Sequence, residues 1–146
     1  MPMIELTSPK GALTQSKQNA LMKTLTNTLL KWEGAPIDSA VAQAVSWAFV
    51  NEKPAGTFYV GGKPITQDHW RVEITVPQGV LNENKKKGLV KDVQDTIAKI
   101  TGDDNLGTRV WCIITDIPSG NWGADGKIFT ITEIARAVHK SEKIAS

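Results

Sequence analysis

Pro2 is the residue of this chain best equipped to do chemistry unaided. It follows Met1, and removal of an initiator methionine before a small residue would leave a secondary amine at the head of the chain. An α-amino group titrates near ~8. In an apolar pocket the ammonium form is disfavoured and the pKa moves toward neutrality. A neutral amine held rigid by its own ring could take a proton from a carbon beside a carbonyl and return it elsewhere. Proline is also common near frayed termini, so Pro2 gains its weight from what surrounds it.

The other chemically capable side chains are few. Arg71 and Arg109 are the two arginines outside the C-terminal segment. Arg109 stands two residues before Trp111, and on a strand it would project to the same side, displaced by ~7 Å. Its planar fork could grip a carboxylate there. Arg71 opens a strand and points away from the apolar face. For both, an ordinary solvent-facing arginine is the competing reading. Cys112 lies in an apolar stretch and reads as a small hydrophobe; a single cysteine excludes an internal disulfide and fits a reducing compartment. His69 and His139 have no partnering pattern and read as surface residues. No metal-ligand spacing, phosphate loop or Ser-His-Asp arrangement occurs, and Gly61, Gly62 and Gly79 read as turns. No cofactor is expected.

Composition narrows the setting. The chain has 146 residues, enough for one domain with its own core, and 40% hydrophobic with 22% charged residues is ordinary for a globular protein. A net charge of +2 argues against nucleic acid or an anionic membrane as partner. The Lys85-Lys86-Lys87 run reads as a solvated helix face. No apolar run reaches bilayer length and no signal-peptide layout is present, so a cytoplasmic location is expected.

The elements that must position Pro2 come in two copies. Trp47, Glu52, Pro54, Gly56, Phe58 and Gly62 recur at identical spacing as Trp111, Asp116, Pro118, Gly120, Trp122 and Gly126. Each phrase closes an apolar stretch that follows a helical pattern, so the chain reads as a repeat over 2–65 and 70–130 within a single domain, 1–146. In the first copy, residues 3–7 are extended and Pro9-Lys10-Gly11 break them. Leu21, Leu25 and Leu29 then mark a helix capped by Thr14 and ended by Gly34 and Pro36. A strand over 45–50 and a glycine hairpin follow. In the second, Trp70, Val72, Ile74 and Val76 alternate with polar residues. A helix capped by Asn82 carries Val93, Ile97 and Ile100 before Gly102, and Arg109–Thr115 is the matching strand. Residues 130–138 could be strand or helix, and the tail beyond His139 should fray. The second copy has Trp70 where the first has Pro2.

Strand, helix, strand within each unit implies a right-handed crossover between parallel strands. The expected fold is therefore α/β (α+β), a four-stranded sheet with two helices on one face. Val-Ser-Trp-Ala-Phe-Val (45–50) and Val-Trp-Cys-Ile-Ile (110–114) are apolar on both sides and need cover on both. With no further pair of helices to supply it, a symmetric oligomer is expected.

These residues resemble the tautomerase superfamily. The 4-oxalocrotonate tautomerase pattern fits without gaps from Pro2 to Lys17 and again on the second strand of each copy, closely so in Ile-Ile-Thr-Asp-x-x-x-Gly-x-Trp-Gly (Ile113–Gly123). The double-length form, with Glu-x-Pro-Ala-Gly at 52–56, resembles the cis-3-chloroacrylate dehalogenase group. The likeness spans nearly the whole chain to about residue 130. It implies Pro2 as catalytic base and acid, Phe58 and Trp122 as apolar pocket wall, and a homotrimer in which each fused chain replaces two short subunits. Trp47 and Trp111 read as core or interface.

The family's arginines are absent from their usual places: Ala12 and Val80 stand after the first strand of each copy, Trp47 and Trp111 in the second. Leu29, Ile113 and the stretch 77–80 replace the dehalogenase group's histidine, tyrosine and paired arginines. Asn121 stands where that group carries a water-activating glutamate. The resulting expectation is keto-enol tautomerisation of a 2-oxo acid or unsaturated acid, with Arg109 and Arg71 on the acid group and Phe58, Trp122 and Asn121 around it. The alternatives are a decarboxylase, hydratase or dehalogenase using the same proline, or a binding protein that keeps the fold.

Overall fold

The computed structural model describes residues 2–140, with side chains to residue 137. The expectations for the His139 side chain and for the tail beyond it lie outside the described residues. Strand β1 (Met3–Pro9) leads to α1 (Gln15–Glu33), the short α2 (Ala40–Ala44) and β2 (Trp47–Lys53). A hairpin of β3 (Tyr59–Val60) and β4 (Lys63–Pro64) closes the first unit. The second runs β5 (Trp70–Pro77), α3 (Glu83–Thr101), β6 (Val110–Ile117), then the hairpin β7 (Trp122–Ala124) and β8 (Lys127–Phe129), and α4 (Ile131–Lys140) follows.

The helix limits follow from local chemistry. The Thr14 hydroxyl accepts from the Lys17 N–H at 3.2 Å and the Asn82 side-chain Oδ1 from the Lys85 N–H at 2.8 Å. Each satisfies an N–H that the first helical turn leaves unpaired. Both helices end on a left-handed glycine, Gly34 and Gly102. Residues 131–140 are helical because Thr130 and Glu133 form a reciprocal capping box: the Thr130 N–H donates to Glu133 Oε2 at 2.8 Å and the Glu133 N–H to Thr130 Oγ1 at 3.3 Å. That settles the segment left open between strand and helix.

The sheet order is β2-β1-β5-β6, with β1 parallel to β2, β5 parallel to β6, and the two central strands antiparallel. Two parallel β-α-β units thus meet back to back. Both long helices cover one face, where Ile4, Leu6, Val72, Ile74 and Val76 meet Leu21, Leu25, Leu29, Leu89, Val93 and Ile97 in one core. Ile100 is only half-buried, one turn off that line.

Three rows cross the uncovered face: Trp47–Met3–Thr75–Thr115, Phe49–Glu5–Glu73–Ile113 and Asn51–Thr7–Arg71–Trp111. Trp47 and Trp111 are 64% and 65% exposed at opposite corners. The apolar character expected of this face lies mainly on the two edge strands, with Met3 of β1 between them. The central strands turn their polar alternates outward, so Glu5 lies opposite Glu73.

Two boundaries differ from expectation. β2 begins at Trp47 because Ser39 caps the short helix α2, accepting from the Ala42 N–H at 3.2 Å and keeping the chain helical just before it. β6 begins at Val110 because residues 107–109 form a 3-10 turn. Arg109 therefore does not share the strand with Trp111 and does not project beside it.

Candidate functional site

Pro2 is buried at the head of β1. Its carbonyl accepts from the Trp47 N–H at 3.1 Å, tying the first described residue to β2. β1 pairs with β5 through Met3 and Thr75, so Pro2 lies level with Val76. Val76 in turn pairs with Asp116 of β6. Pro2 thus belongs to the end of the sheet where β2 and β1 begin and β5 and β6 finish.

The chain brings further groups to this end. β6 runs past Ile117 into the 118–121 turn and the β7–β8 hairpin, which delivers Asn121 and the half-buried Trp122. Asp125 and Gly126 at its tip have φ of 51° and 67°, the left-handed pair that a tight two-residue hairpin requires. Beneath it, Lys86 Nζ contacts Asp116 Oδ2 at 2.6 Å, while Asp116 Oδ1 is buried without a hydrogen-bond partner among the described residues. The Gln78 N–H donates to the Ile117 carbonyl at 2.8 Å and holds the β5 exit against the β6 exit.

Helix α1 returns from the far end of β1 to the start of β2, so its last residue, Glu33, also arrives here. Glu33 continues the row Leu21-Leu25-Leu29 at the same four-residue spacing, on the stripe that faces the sheet. Its Oε1 is buried with no hydrogen-bond partner among the described residues. Burial pushes its carboxyl up to about 7, the positive amino end of the chain pulling the other way. Glu33 is not among the residues singled out by type and spacing; its signal in the sequence is a carboxylate closing a row of leucines.

The remaining expected site residues lie at the opposite end. Arg71 pairs with Thr7, five residues along β1 from Pro2, or roughly 17 Å at the rise of a strand. Its guanidinium contacts Glu73 Oε2 at 3.4 Å on the uncovered face. Arg109 donates to Asp103 Oδ2 at 2.6 Å, the Asp68 carbonyl at 2.8 Å and the Asn105 carbonyl at 3.1 Å. These contacts latch the loop before β5 to the loop after α3, and they line an open cleft of ≈ 520 Å³ with Thr66 and Gln67. Phe58 rests against His69, ring centroids 6.0 Å apart, beside that same end. Within one chain, then, Trp122 and Asn121 share an end with Pro2, whereas Phe58, Arg71 and Arg109 do not. The antiparallel junction between the two units separates them: positions equivalent in the repeat fall at opposite ends of the sheet.

Cys112 is half-buried, and burial raises its thiol to about 11. Among the described residues no group of three or more His, Cys, Asp or Glu could hold a metal ion, and no helix is long and apolar enough to cross a membrane.

The fold is similar to that of several solved structures. A crystal structure of a member of the cis-3-chloroacrylic acid dehalogenase family superposes with a TM-score of 0.75 at 18% identity, covering 98% of each chain. A wild-type fused 4-OT, described as an asymmetric trimer, gives a TM-score of 0.72 at 24% identity, over 92% of this chain and 99% of that one. A macrophage migration inhibitory factor of Toxoplasma gondii gives 0.67 at 12% identity, over 87% and 99%. No protein-family model matches the sequence, and no curated protein does.

Proposed function

We propose that the protein is a tautomerase-like enzyme in which Pro2, freed of Met1, moves a proton on an enolisable 2-oxo acid or unsaturated acid. The observation that carries this reading is the burial of Pro2 at the head of β1, where a terminus would otherwise fray. Burial there favours the neutral amine, which is the form a base needs. Trp122 supplies an apolar wall at the same end, and Asn121 a neutral donor and acceptor beside it.

The uncovered face assembles three chains. Its exposed Trp47, Phe49, Trp111 and Ile113 make two apolar margins that a partner would bury, and the fused 4-OT structures it resembles include trimers. Assembly would bring another chain's groups to the Pro2 end, where this chain's own arginines do not reach. The setting is a cytoplasmic one, and the substrate a small acid.

The test is chemical labelling. An amine adds to an electron-poor alkyne, and 2-oxo-3-pentynoate, which inactivates the similar Pt0534, offers such an alkyne joined to a 2-oxo acid. Incubation of Met-free protein should attach one equivalent to the peptide that begins at Pro2, and Pro2→Ala, a primary amine in place of the ring, should label far more slowly. Labelling elsewhere, or at equal rates in both proteins, overturns the assignment. A second reading, a binding protein that keeps the fold, is favoured by one observation: Arg109 is held by three protein acceptors and Arg71 by Glu73, leaving neither at the Pro2 end. Unlabelled Pro2 would favour that reading.

A further inference from the structure

The first unit differs from the second at two positions that the fold brings to one end of the sheet. Pro2 is answered in the second unit by Trp70, and Glu33, which closes α1, by Thr101, which closes α3. At the second-unit position both space and polarity are accounted for: Trp70 is buried to 2% exposure, and the Thr101 hydroxyl donates to the Ile97 carbonyl at 2.7 Å. At the first-unit position a carboxyl oxygen lies buried without a partner among the described residues.

An unpaired buried carboxyl oxygen is unfavourable, and native structures rarely leave one without a reason. The charged groups on the surrounding elements have other contacts or face solvent. Lys86 of α3 is taken by Asp116 of β6, and Asp92 of α3 accepts from the Trp32 indole at 2.8 Å. Lys31 of α1 lies over the Trp32 ring, 5.7 Å from its centroid. Asp38, beyond the end of α1, is exposed, as is Lys85 in part. The amino end of the chain is the positive group that acts on Glu33. Once Met1 is removed, that end is the Pro2 ring nitrogen.

We infer that Glu33 is a positioning residue for Pro2: in the Met-free chain its free Oε1 accepts a hydrogen bond from the Pro2 nitrogen, and the two groups hold one proton between them. This rests on the proposed role of Pro2 as the working amine. With the proton on Glu33, Pro2 is the free base that can accept one from carbon. With the proton on Pro2, the ring is an ammonium paired with a carboxylate and ready to return it. The titration then belongs to the pair rather than to either group. Confinement of both residues to one unit explains why the second unit, lacking the amine, keeps no carboxylate at that position.

The experiment reads Pro2 directly, without substrate. The nitrogen-15 shift of Pro2 is followed against pH in labelled, Met-free protein and in Glu33→Gln, which keeps shape and removes the charge. The wild-type nitrogen should titrate in two steps. The variant should show one step, with the amine lower by about one unit or more, because an opposite charge within hydrogen-bonding reach holds an ammonium by that amount. Superimposable single curves overturn the inference. A circular-dichroism melt of Glu33→Gln checks folding, and Glu33→Asp, shorter by one methylene, should give an intermediate shift if an unfolded Gln variant prevents the comparison. Turnover is a separate readout: loss of activity in Pro2→Ala with no Glu33 effect on the titration would leave the function standing and remove only this role.

Discussion

The Trp32 indole N–H donates to Asp92 Oδ2 at 2.8 Å, and its ring lies over Gly88, so that one side chain of α1 fixes the depth at which α3 packs. A Cβ added at Gly88 would stand 2.3 Å from Trp32 Cη2. The contact sets the helix spacing at the end of the layer that Glu33 and Pro2 occupy.

Gly88→Ala should therefore destabilise the protein although it improves helix propensity. Propensity would contribute about 1 kcal/mol, and forcing the indole from its place costs about 1–3 kcal/mol. The ring cannot yield without releasing Asp92. Urea unfolding should show a lower midpoint than wild type; an unchanged or higher midpoint would mean that the ring moves freely.

Arg109 should act as a latch and not as a substrate ligand. Arg109→Ala ought to lower the melting temperature while leaving the reaction of Pro2 with 2-oxo-3-pentynoate unchanged. Its hydrogen bond, first, and then the Asn105 backbone N–H hold the Asp103 carboxyl below its ordinary 3.8. A depressed carboxyl stabilises the fold above the ordinary value and loses that contribution as pH falls through the lower one. The acid-unfolding curve of Arg109→Ala should accordingly lack part of the wild-type drop. Abolition of labelling in a folded variant would return Arg109 to the site.

Trp47→Glu with Trp111→Glu should dissociate the assembly. Both side chains stand largely exposed on the uncovered face, and a charge there would oppose burial against a partner. Sedimentation should give three times the 15.9 kDa chain mass for wild type and the single mass for the double variant. A wild-type monomer would remove the trimer from the account.

Cys112 should be a poor nucleophile. Burial raises its thiol from 9.0 to about 11, so the folded thiol stays protonated well above neutrality. The unfolded thiol ionises first, so its contribution to stability is complete below about pH 9 and is lost as pH rises toward 11. Alkylation by iodoacetamide at pH 8 should be slow in native protein and fast in urea.

Much of the fold is legible in local pattern. The Leu21-Leu25-Leu29 row, the caps at Thr14 and Asn82, the glycines at 34 and 102 and the alternation from Trp70 to Val76 each specify an element from neighbours a few residues away. What local pattern does not carry is the antiparallel junction of β1 with β5. That single pairing sends Arg71, Arg109 and Phe58 to one end of the sheet and keeps Trp122 and Asn121 with Pro2. Glu33 is hidden in the sequence for a related reason. As the end of a helix it looks like a solvated charge, and only the path of α1 back toward the start of β1 turns it inward. Ser39 and the short helix it caps likewise displaced the start of β2, a boundary that the apolar run 45–50 could not reveal.

The most direct test of the central claim is turnover of 2-hydroxymuconate or phenylenolpyruvate by Met-free protein and by Pro2→Ala, followed through the enol absorbance. Ketonisation by the wild type and a loss of about 10²-fold or more in the variant are expected, the scale of a positioned acid-base group. Equal rates in the two proteins would contradict it.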